Sequence, residues 1–414
     1  MLIHSASQLL TLAGGPQRGH DLGQLGLIPG GAILIEDSII TAVGSSKELL
    51  NAHPDQERLA AGGGVVMPGF VDPHTHVIWS GDRAAEFEMR LQGKTYLEIL
   101  AAGGGILSTV NATRAADTES LIKETQPRLG SMLAHGTTTA EAKTGYGLEL
   151  ATELRMLQAL ITLDEQGPLE LVITFLGAHA IAPEYKDDPQ AYTDLVCDTM
   201  LPEVLQWWPE DRPLPFVDVF CETGAFDLAQ SRQILTTAKQ LGFPLKIHAD
   251  EFDNLGGASL ATELGAVSAD HLVATSAQDI RSLGKSDTVA VGLPATPFGL
   301  SEPKYTPARQ IMAAGGILAL ATDLNPGTAW CESMQFAIAL GCRYMGLTPA
   351  QAIAAATINA AAAIGREYSI GSLEPGKQAD LIILNVPEYQ HLGYRFGTNL
   401  VKQVIKRGKL VLEN

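Results

Sequence analysis

Strand-like and helix-like hydrophobic patterns alternate through the middle of the chain. Short apolar runs predict strands at 65–71, 137–142, 171–177, 216–221, 244–248, 267–271, 288–293 and 317–322. Between most of these runs, apolar residues recur at helical spacing, as at Leu150, Leu154 and Leu157. This alternation predicts an α/β fold of the (β/α)8 TIM barrel class, in which active sites lie at the carboxyl ends of the strands.

The two ends of the chain have a different pattern. Residues 32–43 and 401–412 each read as two strands joined by a tight turn, and before residue 60 only 46–51 is helical in character. We expect both ends to pair into one small β-sandwich domain. The predicted limits are 1–62 for its N-terminal part, 63–365 for the barrel and 366–414 for its C-terminal part.

Proline is expected to affect the course of one predicted helix and to mark the start of another. Pro127 lies inside a helical pattern at 119–134 and is expected to kink or split that helix, because proline lacks an N–H and its ring crowds the preceding turn. Thr348, followed by Pro349, predicts the N-cap and first turn of an alanine-rich helix that runs to Ala363.

Composition and charge narrow the class of protein. The chain has 414 residues, of which 46% are hydrophobic, and is long enough for a large α/β barrel. Its net charge of −18 argues against nucleic acid or an anionic membrane as a partner. The four cysteines form no Cys-x-x-Cys motif, and neither a signal peptide nor a membrane-length apolar run is apparent. These features predict a reduced, soluble, cytoplasmic protein.

Four side chains at predicted strand ends form a candidate metal site. His74 and His76 follow the first barrel strand two residues apart, so both imidazoles project from one face. His248 ends the fifth predicted strand, and Asp323 follows the eighth. Three imidazoles and one carboxylate, without a thiolate, predict a hydrolytic zinc or iron site with a coordination position left for water.

Two more polar residues follow strands near this site. Glu251 lies three residues after His248, where a carboxylate can take a proton from water and return it to a leaving nitrogen. A solvated loop acid is the alternative. His271 ends the sixth predicted strand and is expected to hydrogen-bond the attacking hydroxide; a direct metal ligand or a strand-end cap is the alternative. We therefore predict Glu251, His271 and Asp323 as catalytic residues.

The arrangement of these motifs resembles the amidohydrolase superfamily. Many members of that superfamily bridge two metal ions with a carboxylated lysine on strand four, whereas 216–222 contains no lysine. The His-x-x-Glu sequence after strand five is similar to the mononuclear, deaminase-type branch. The resemblance therefore implies one divalent or trivalent metal ion, zinc or iron, held by His74, His76, His248 and Asp323.

Further segments resemble one family within that superfamily, the imidazolonepropionases. These segments are 102–106, 141–147, 175–179, 246–251 and 321–327, and the most selective stretches are Lys-Thr-Gly-Tyr-Gly and Asp-x-Asn-Pro-Gly. The similarity covers nearly the whole chain. It implies hydrolysis of the cyclic amide 4-imidazolone-5-propanoate to N-formimidoyl-L-glutamate, a step in L-histidine degradation. By the same analogy we expect a homodimer.

The resemblance also implies how the substrate is bound. Arg83 and Tyr146 would hold the propionate, since a planar guanidinium can grip a carboxylate in two places. The other implied substrate-binding residues are Tyr96, His179, Glu251, Asn325, Gly327 and Thr328. Alternatives stay open for two of the residues: Arg83 as a surface ion-pair partner and Tyr96 as a packing residue.

Two other functions are kept as alternatives. A related amidohydrolase that deaminates a heteroaromatic base would need no anchor for a propionate, so it would not depend on Arg83. A non-catalytic barrel that serves as a scaffold would be expected to have lost metal ligands, yet all four are present in this sequence.

Overall fold

The computed structural model describes residues 1–94, 98 and 104–414. Its central sheet has eight strands in consecutive order, all pairing in parallel. These barrel strands, numbered first to eighth below, are Phe70–Asp72, Thr137–Lys143, Glu170–Ala178, Phe216–Cys221, His248–Ala249, Ser268–His271, Val289–Gly292 and Ile317–Leu320. A parallel bridge between Thr75 and Leu324 joins the continuations of the first and eighth strands. The predicted (β/α)8 barrel is confirmed.

Helices surround the barrel and bury one face against it. In Leu228–Gln240, for example, Ile234, Leu235 and Ala238 are buried, and Asp227 forms a capping box with the third helical residue. The α-helices of the described chain are Ser46–Ala52, Ala84–Leu91, Ile106–Ala115, Thr118–Ala134, Leu150–Gln166, Pro189–Leu195, Leu201–Trp207, Leu228–Gln240, Gly257–Leu264, Ala277–Gly284, Ala295–Leu300, Ala308–Ala313, Met334–Tyr344, Pro349–Ala355, Ile358–Ala362 and His391–Tyr394. Among the described residues, none of the helices combines the length and apolar character needed to cross a bilayer.

The chain termini build a separate pair of sheets, as predicted for the small β-sandwich domain. One sheet contains Leu2–His4, Gly31–Glu36, Ile39–Ser45 and Arg58–Ala60. The other contains Gln8–Leu10, Leu27–Pro29, Val65–Pro68, Leu381–Leu384, Val401–Lys406 and Lys409–Glu413. Ile33 from the first sheet packs with Val66 and Ile383 from the second in one buried cluster, so the two sheets share a core.

The predicted strand at 65–71 is two strands that belong to different sheets. Val65–Pro68 pairs with Leu381–Leu384 in the small domain, and Phe70–Asp72 begins the barrel. Gly69 lies between the two strands, and a Cβ at this position would lie 2.3 Å from Thr138 Cγ2, which is too close for any side chain without movement. The chain thus crosses between domains within one continuous apolar run, which the hydropathy pattern could not reveal. The domain limits 1–62, 63–365 and 366–414 stay a prediction.

Two helical predictions need correction, and one is confirmed. Thr118–Ala134 is a single helix, so the split expected at Pro127 does not occur; its buried face, including Leu129 and Met132, is held by packing. The alanine-rich helix predicted to reach Ala363 ends at Ala355 and resumes as Ile358–Ala362. Thr348 is the N-cap of the first of these helices and accepts a hydrogen bond from Gln351 N, as its sequence predicts.

Candidate metal centre

The four predicted metal ligands converge at the carboxyl end of the barrel. His76 Nε2 lies 3.2 Å from His248 Nε2. Asp323 Oδ1 lies 3.5 Å from His74 Nε2 and 3.7 Å from His76 Nε2. All four residues are buried, and none is more than 3% exposed. Three strand ends that are far apart in sequence thus present four ligand atoms to one point.

This arrangement fits a metal ion by the chemistry of its donors. His74 Nε2 is fully buried and has no hydrogen-bond partner, although it points toward the carboxylate of Asp323. An unpaired buried polar atom is costly unless another group satisfies it. Two ligands at zinc–nitrogen distance in a tetrahedral site lie about 3.4 Å apart, close to the spacing of these atoms.

Burial sets the protonation states that metal binding requires. Desolvation lowers the pKa of His74, assisted by the Lys143 ammonium, and lowers that of His76, assisted by His179. Both imidazoles are therefore neutral near pH 7, which is the ligating form. Burial raises the pKa of Asp323 to about 6, so most of this carboxyl group is ionised at neutral pH.

Two buried carboxylates orient the ligand imidazoles from behind. Asp270 Oδ2 lies 2.7 Å from His74 Nδ1, and Asp218 Oδ2 lies 3.0 Å from His248 Nδ1 as a close ion-pair contact. At His74 the hydrogen bond to Asp270 places the imidazole proton on Nδ1 and leaves the Nε2 lone pair for a metal ion, whereas His248 Nδ1 has only the nearby Asp218 charge. Neither aspartate was predicted from the sequence to have a role, although both lie on strands that carry the site.

Buried lysines hold these carboxylates in turn. Lys143 Nζ lies 2.7 Å from Asp218 Oδ2 and 2.8 Å from Glu141 Oε1, and Lys246 Nζ donates to Glu141 Oε2 and to Pro73 O at 2.7 Å each. Burial alone would lower the pKa of Lys143, but the carboxylates of Asp218 and Glu141 outweigh that effect and raise it. A buried charge without a partner would be strongly destabilising, so these residues form one unit. Charged residues inside wholly buried strands were the signal that the sequence analysis overlooked.

We expect Asp270→Asn to weaken metal binding by about 10- to 100-fold, because the asparagine no longer fixes the tautomer and angle of His74. Competition with a chelator of known affinity measures the change. Asp380→Asn is the matched control, since Asp380 is also buried but pairs with Lys406 in the small domain. Equal metal affinity in Asp270→Asn and the unaltered protein would contradict the orienting role.

Glu251 and His271 lie beside the four ligands. Glu251 Oε2 is 3.6 Å from His271 Nδ1. Burial raises the pKa of Glu251 well above its usual range, and the Asp323 carboxylate raises it further. Such a carboxyl group can exchange protons near neutral pH. Ligand atoms of His74, His271 and Asp323 also lie within 4.8 Å of one another, so the alternative of His271 as a direct ligand stays open.

Three residues around the centre have backbone angles that non-glycine residues rarely adopt. Asp250, His271 and Asp323 have φ of +55°, +77° and +54°. Each such conformation costs on the order of 1 kcal/mol and tends to persist at functional sites. Two hydrogen bonds hold the turn at Asp323 in place. The Thr296 hydroxyl donates to the Asp323 carboxylate, and Leu324 N donates to the hydroxyl of the adjacent Thr322.

A cavity of about 160 Å³ opens over the ligand atoms. Its lining residues are His76, Arg83, Ile106, Tyr146, His179, Phe220, His248, Glu251, Phe252, His271, Asp323, Asn325, Gly327 and Thr328. The structure thus brings together every predicted substrate-binding residue except Tyr96, which lies outside the described residues. Ile106, Phe220 and Phe252 are apolar lining residues that the sequence analysis did not identify.

Arg83 is placed in the wall of this cavity by an ion pair. Its Nε and Nη2 atoms lie 2.9 and 2.8 Å from Glu86 Oε2, and the Arg83 side chain is 17% exposed. A Cβ on Gly327 would lie 2.5 Å from Arg83 Nη1, so a larger residue at this position would require the guanidinium to move. Arg83 is therefore an ion-pair partner and a cavity residue at once.

His179 and Tyr146 line the cavity beside His76. The His179 ring stacks on His76 with centroids 4.7 Å apart, and burial lowers the pKa of His179 to about 3. His179 Nδ1 lies 3.0 Å from Gly145 O, so Nδ1 carries the proton and Nε2 presents an acceptor. Burial raises the pKa of Tyr146, which keeps its hydroxyl as a hydrogen-bond donor.

Asn325 lines the cavity and also fixes the loop beyond the eighth strand. Its Oδ1 accepts from Gly327 N and Thr328 N at 2.8 Å each, and its Nδ2 donates to Asp323 O at 2.7 Å. These bonds form a compact turn that sets Gly327 and Thr328 against the cavity. Much of the hydrogen-bonding capacity of Asn325 is therefore used by the protein itself.

Comparison with known proteins identifies the family of this chain. A model of the amidohydrolase family matches residues 232–411. An imidazolonepropionase from Herpetosiphon aurantiacus is 53% identical over 100% of this chain and 97% of its own length. An imidazolonepropionase from Symbiobacterium thermophilum is 48% identical, with the same coverage of the two chains. The chain belongs to the imidazolonepropionase family.

Solved structures of two deaminases share the fold of this imidazolonepropionase-family chain. A 5-methylcytosine deaminase from Klebsiella pneumoniae with bound 5-fluorocytosine aligns with a TM-score of 0.74 at 18% identity, covering 100% of this chain and 98% of that one. An adenosine deaminase from Xanthomonas campestris with bound zinc aligns with a TM-score of 0.71 at 19% identity, covering 100% and 92%. At these identities the likeness shows the fold alone.

Proposed function

We propose that this chain hydrolyses 4-imidazolone-5-propanoate to N-formimidoyl-L-glutamate with one zinc or iron ion bound by His74, His76, His248 and Asp323. One observation carries the proposal: in a member of the imidazolonepropionase family, His76, His248 and Asp323 line a cavity whose wall also contains Arg83, and His74 lies directly behind them, with Nε2 3.5 Å from Asp323 Oδ1. The site thus combines residues suited to a hydrolytic metal ion with the guanidinium of Arg83, which suits a substrate that carries a carboxylate.

The cavity walls would orient the substrate by complementary hydrogen bonds. Arg83 and Tyr146 bind the propionate, the first through its charge and the second through its hydroxyl proton. His179 Nε2 accepts from a ring N–H, because its own proton is held at Nδ1 by Gly145 O. These contacts place the ring carbonyl over the ligand cluster.

Protons move through the residues beside the ligands. One proton passes from the attacking water to Glu251, directly or by way of Asp323, and His271 orients the hydroxide. The metal ion supplies a Lewis acid that lowers the pKa of water from about 15.7 toward 7. The water oxygen bonds to the ring carbonyl carbon, the ring C–N bond breaks, and Glu251 returns the proton to the departing nitrogen. One water molecule is consumed, and the new carboxyl group releases its proton to solvent.

The decisive test is product identification. Metal-loaded protein is mixed with freshly prepared imidazolone propionate, and N-formimidoyl-L-glutamate is measured by mass spectrometry, with metal content determined on the same sample. We expect that product and about one metal ion per chain. Ammonia released from cytosine- or guanine-like compounds, without this product, would favour a deaminase, and absence of stoichiometric metal would favour a scaffold.

We expect Arg83→Ala to raise KM for imidazolone propionate by about 10- to 100-fold, since a charge-assisted carboxylate contact is worth about 1.5–3 kcal/mol. Steady-state kinetics measures the change. Arg83→Lys should recover part of it, because lysine keeps the charge without the planar fork. An unsubstituted imidazolone, which lacks the propionate, serves as the control substrate. Arg83→Ala and the unaltered protein should turn it over at equal rates. An unchanged KM in Arg83→Ala would exclude Arg83 as the carboxylate anchor.

Other properties stay predictions from the sequence. These are a cytoplasmic location, a homodimer, and the lack of a nucleic-acid partner that the charge of −18 indicates.

A further inference from the structure

Two buried glutamates, Glu153 and Glu222, each bind the backbone of one cavity loop. Glu222 follows the fourth barrel strand and is 2% exposed, and Glu153 lies in the helix Leu150–Gln166 and is fully buried. Within the described part of the chain, neither carboxylate has a lysine, arginine or histidine as an ion-pair partner. Both are therefore stabilised by uncharged donors, an expensive arrangement for a buried charge that calls for a specific role.

Glu222 holds the loop that carries Glu251. Its Oε2 accepts from Phe252 N at 2.9 Å and its Oε1 accepts from Asp253 N at 3.2 Å. A third bond, from Thr223 N to Oε1 at 2.8 Å, fixes the carboxylate itself. The backbone directly after Glu251 is thus tied to the end of the neighbouring strand.

Glu153 holds the loop that carries Tyr146. Its Oε1 accepts from Gly147 N at 2.8 Å and from Leu148 N at 3.0 Å, and its Oε2 accepts from Gly145 N at 3.1 Å. Leu148 has φ of +53°, so these bonds also support a strained turn. Since His179 Nδ1 bonds to the carbonyl of Gly145, the same anchor extends to the second ring of this wall.

We infer that Glu222 and Glu153 are positioning residues with separate tasks: Glu222 fixes the proton-transferring Glu251, and Glu153 fixes the substrate-binding wall of Tyr146 and His179. The inference rests on the proposed function of these three residues. Carboxylate charge suits this task, because one such group accepts several backbone N–H bonds at once. Neither glutamate lines the cavity, so each acts on it through its loop, and the Glu222 charge in addition helps to raise the pKa of Glu251.

The two tasks predict changes in different kinetic constants. Glu222→Gln should lower kcat by about 10- to 100-fold with KM within about threefold, since small misplacement of a reacting group has effects of that size. Glu153→Gln should raise KM roughly tenfold with kcat within about threefold, because it loosens substrate contacts. Both variants should bind metal like the unaltered holoenzyme.

Glu170→Gln is the matched control: Glu170 is a buried carboxylate at the opposite end of the barrel, and its loss should change neither constant by more than about twofold.

Hydrogen–deuterium exchange of the holoenzyme provides a readout that does not depend on activity. Glu222→Gln should speed exchange at Phe252 and Asp253, and Glu153→Gln should do so at Gly147 and Leu148, each without affecting the other loop. If a glutamine variant does not fold, the aspartate variant, one methylene shorter, should show the same split. Equal changes of kcat and KM in both variants, or unaltered exchange at these amides, would overturn the inference. Failure of the unaltered protein to hydrolyse imidazolone propionate would instead refute the proposed function, and the exchange experiment would still test the two anchors.

Discussion

Replacing Glu251 with glutamine is expected to lower kcat by about 10²- to 10⁴-fold while the metal remains bound. Proton transfer by a positioned side chain contributes a factor of that order. Glutamine has nearly the shape of glutamate but cannot take up and return a proton. The buried setting of Glu251 raises its pKa, which suits a group that must serve first as a base and then as an acid.

The measurement is single-turnover kinetics with metal content determined on the same preparation. Glu263→Gln is the control, because Glu263 is an exposed acid that pairs with Arg232 on the outer surface and should not affect the reaction. A rate for Glu251→Gln within about twofold of the unaltered protein would remove Glu251 from the chemistry.

Removal of the metal ion is also expected to lower turnover strongly. Lewis-acid activation of water and carbonyl is worth several kcal/mol, so chelation should reduce turnover by about 10⁴-fold or more. Titration with zinc or with ferrous iron, the latter without oxygen, should restore the rate as metal content approaches one per chain. The more active metal at equal occupancy identifies the working ion.

Asp323→Ala separates loss of the metal from damage caused by the chelator. This variant lacks the one anionic ligand, so added metal should not restore its turnover at concentrations that saturate the unaltered protein. Full turnover by chelated protein with no detectable metal would contradict the proposed mechanism.

The strand pattern was enough to predict the barrel and to place the ligands near one another. Because parallel strands of a barrel end at the same rim, His74, His248 and Asp323 could be grouped without knowing any pairing. The boundary at Gly69 could not be predicted, since the apolar run crosses from one sheet to another without a change of composition. Hydropathy records burial and does not record which core a strand enters.

The polar residues behind the ligands were harder to predict. The contacts of Lys143 with Asp218, of Lys246 with Glu141 and of Asp218 with His248 form between residues in or next to different strands of the barrel. They depend on the register of those strands, which no local spacing in the sequence encodes. A charged residue inside a fully buried strand was nevertheless a usable signal, because such a charge must find a partner. The substrate-binding role proposed for Arg83 was predicted from family resemblance alone, and the structure adds its pairing with Glu86.

The most direct test is anomalous diffraction from crystals of the metal-loaded protein, recorded on both sides of the zinc and iron absorption edges. We predict one peak per chain within about 2.0–2.3 Å of a nitrogen of His74, His76 and His248 and of an oxygen of Asp323. A peak bound elsewhere, or one at this site with Asp323 outside coordination distance, would contradict the account.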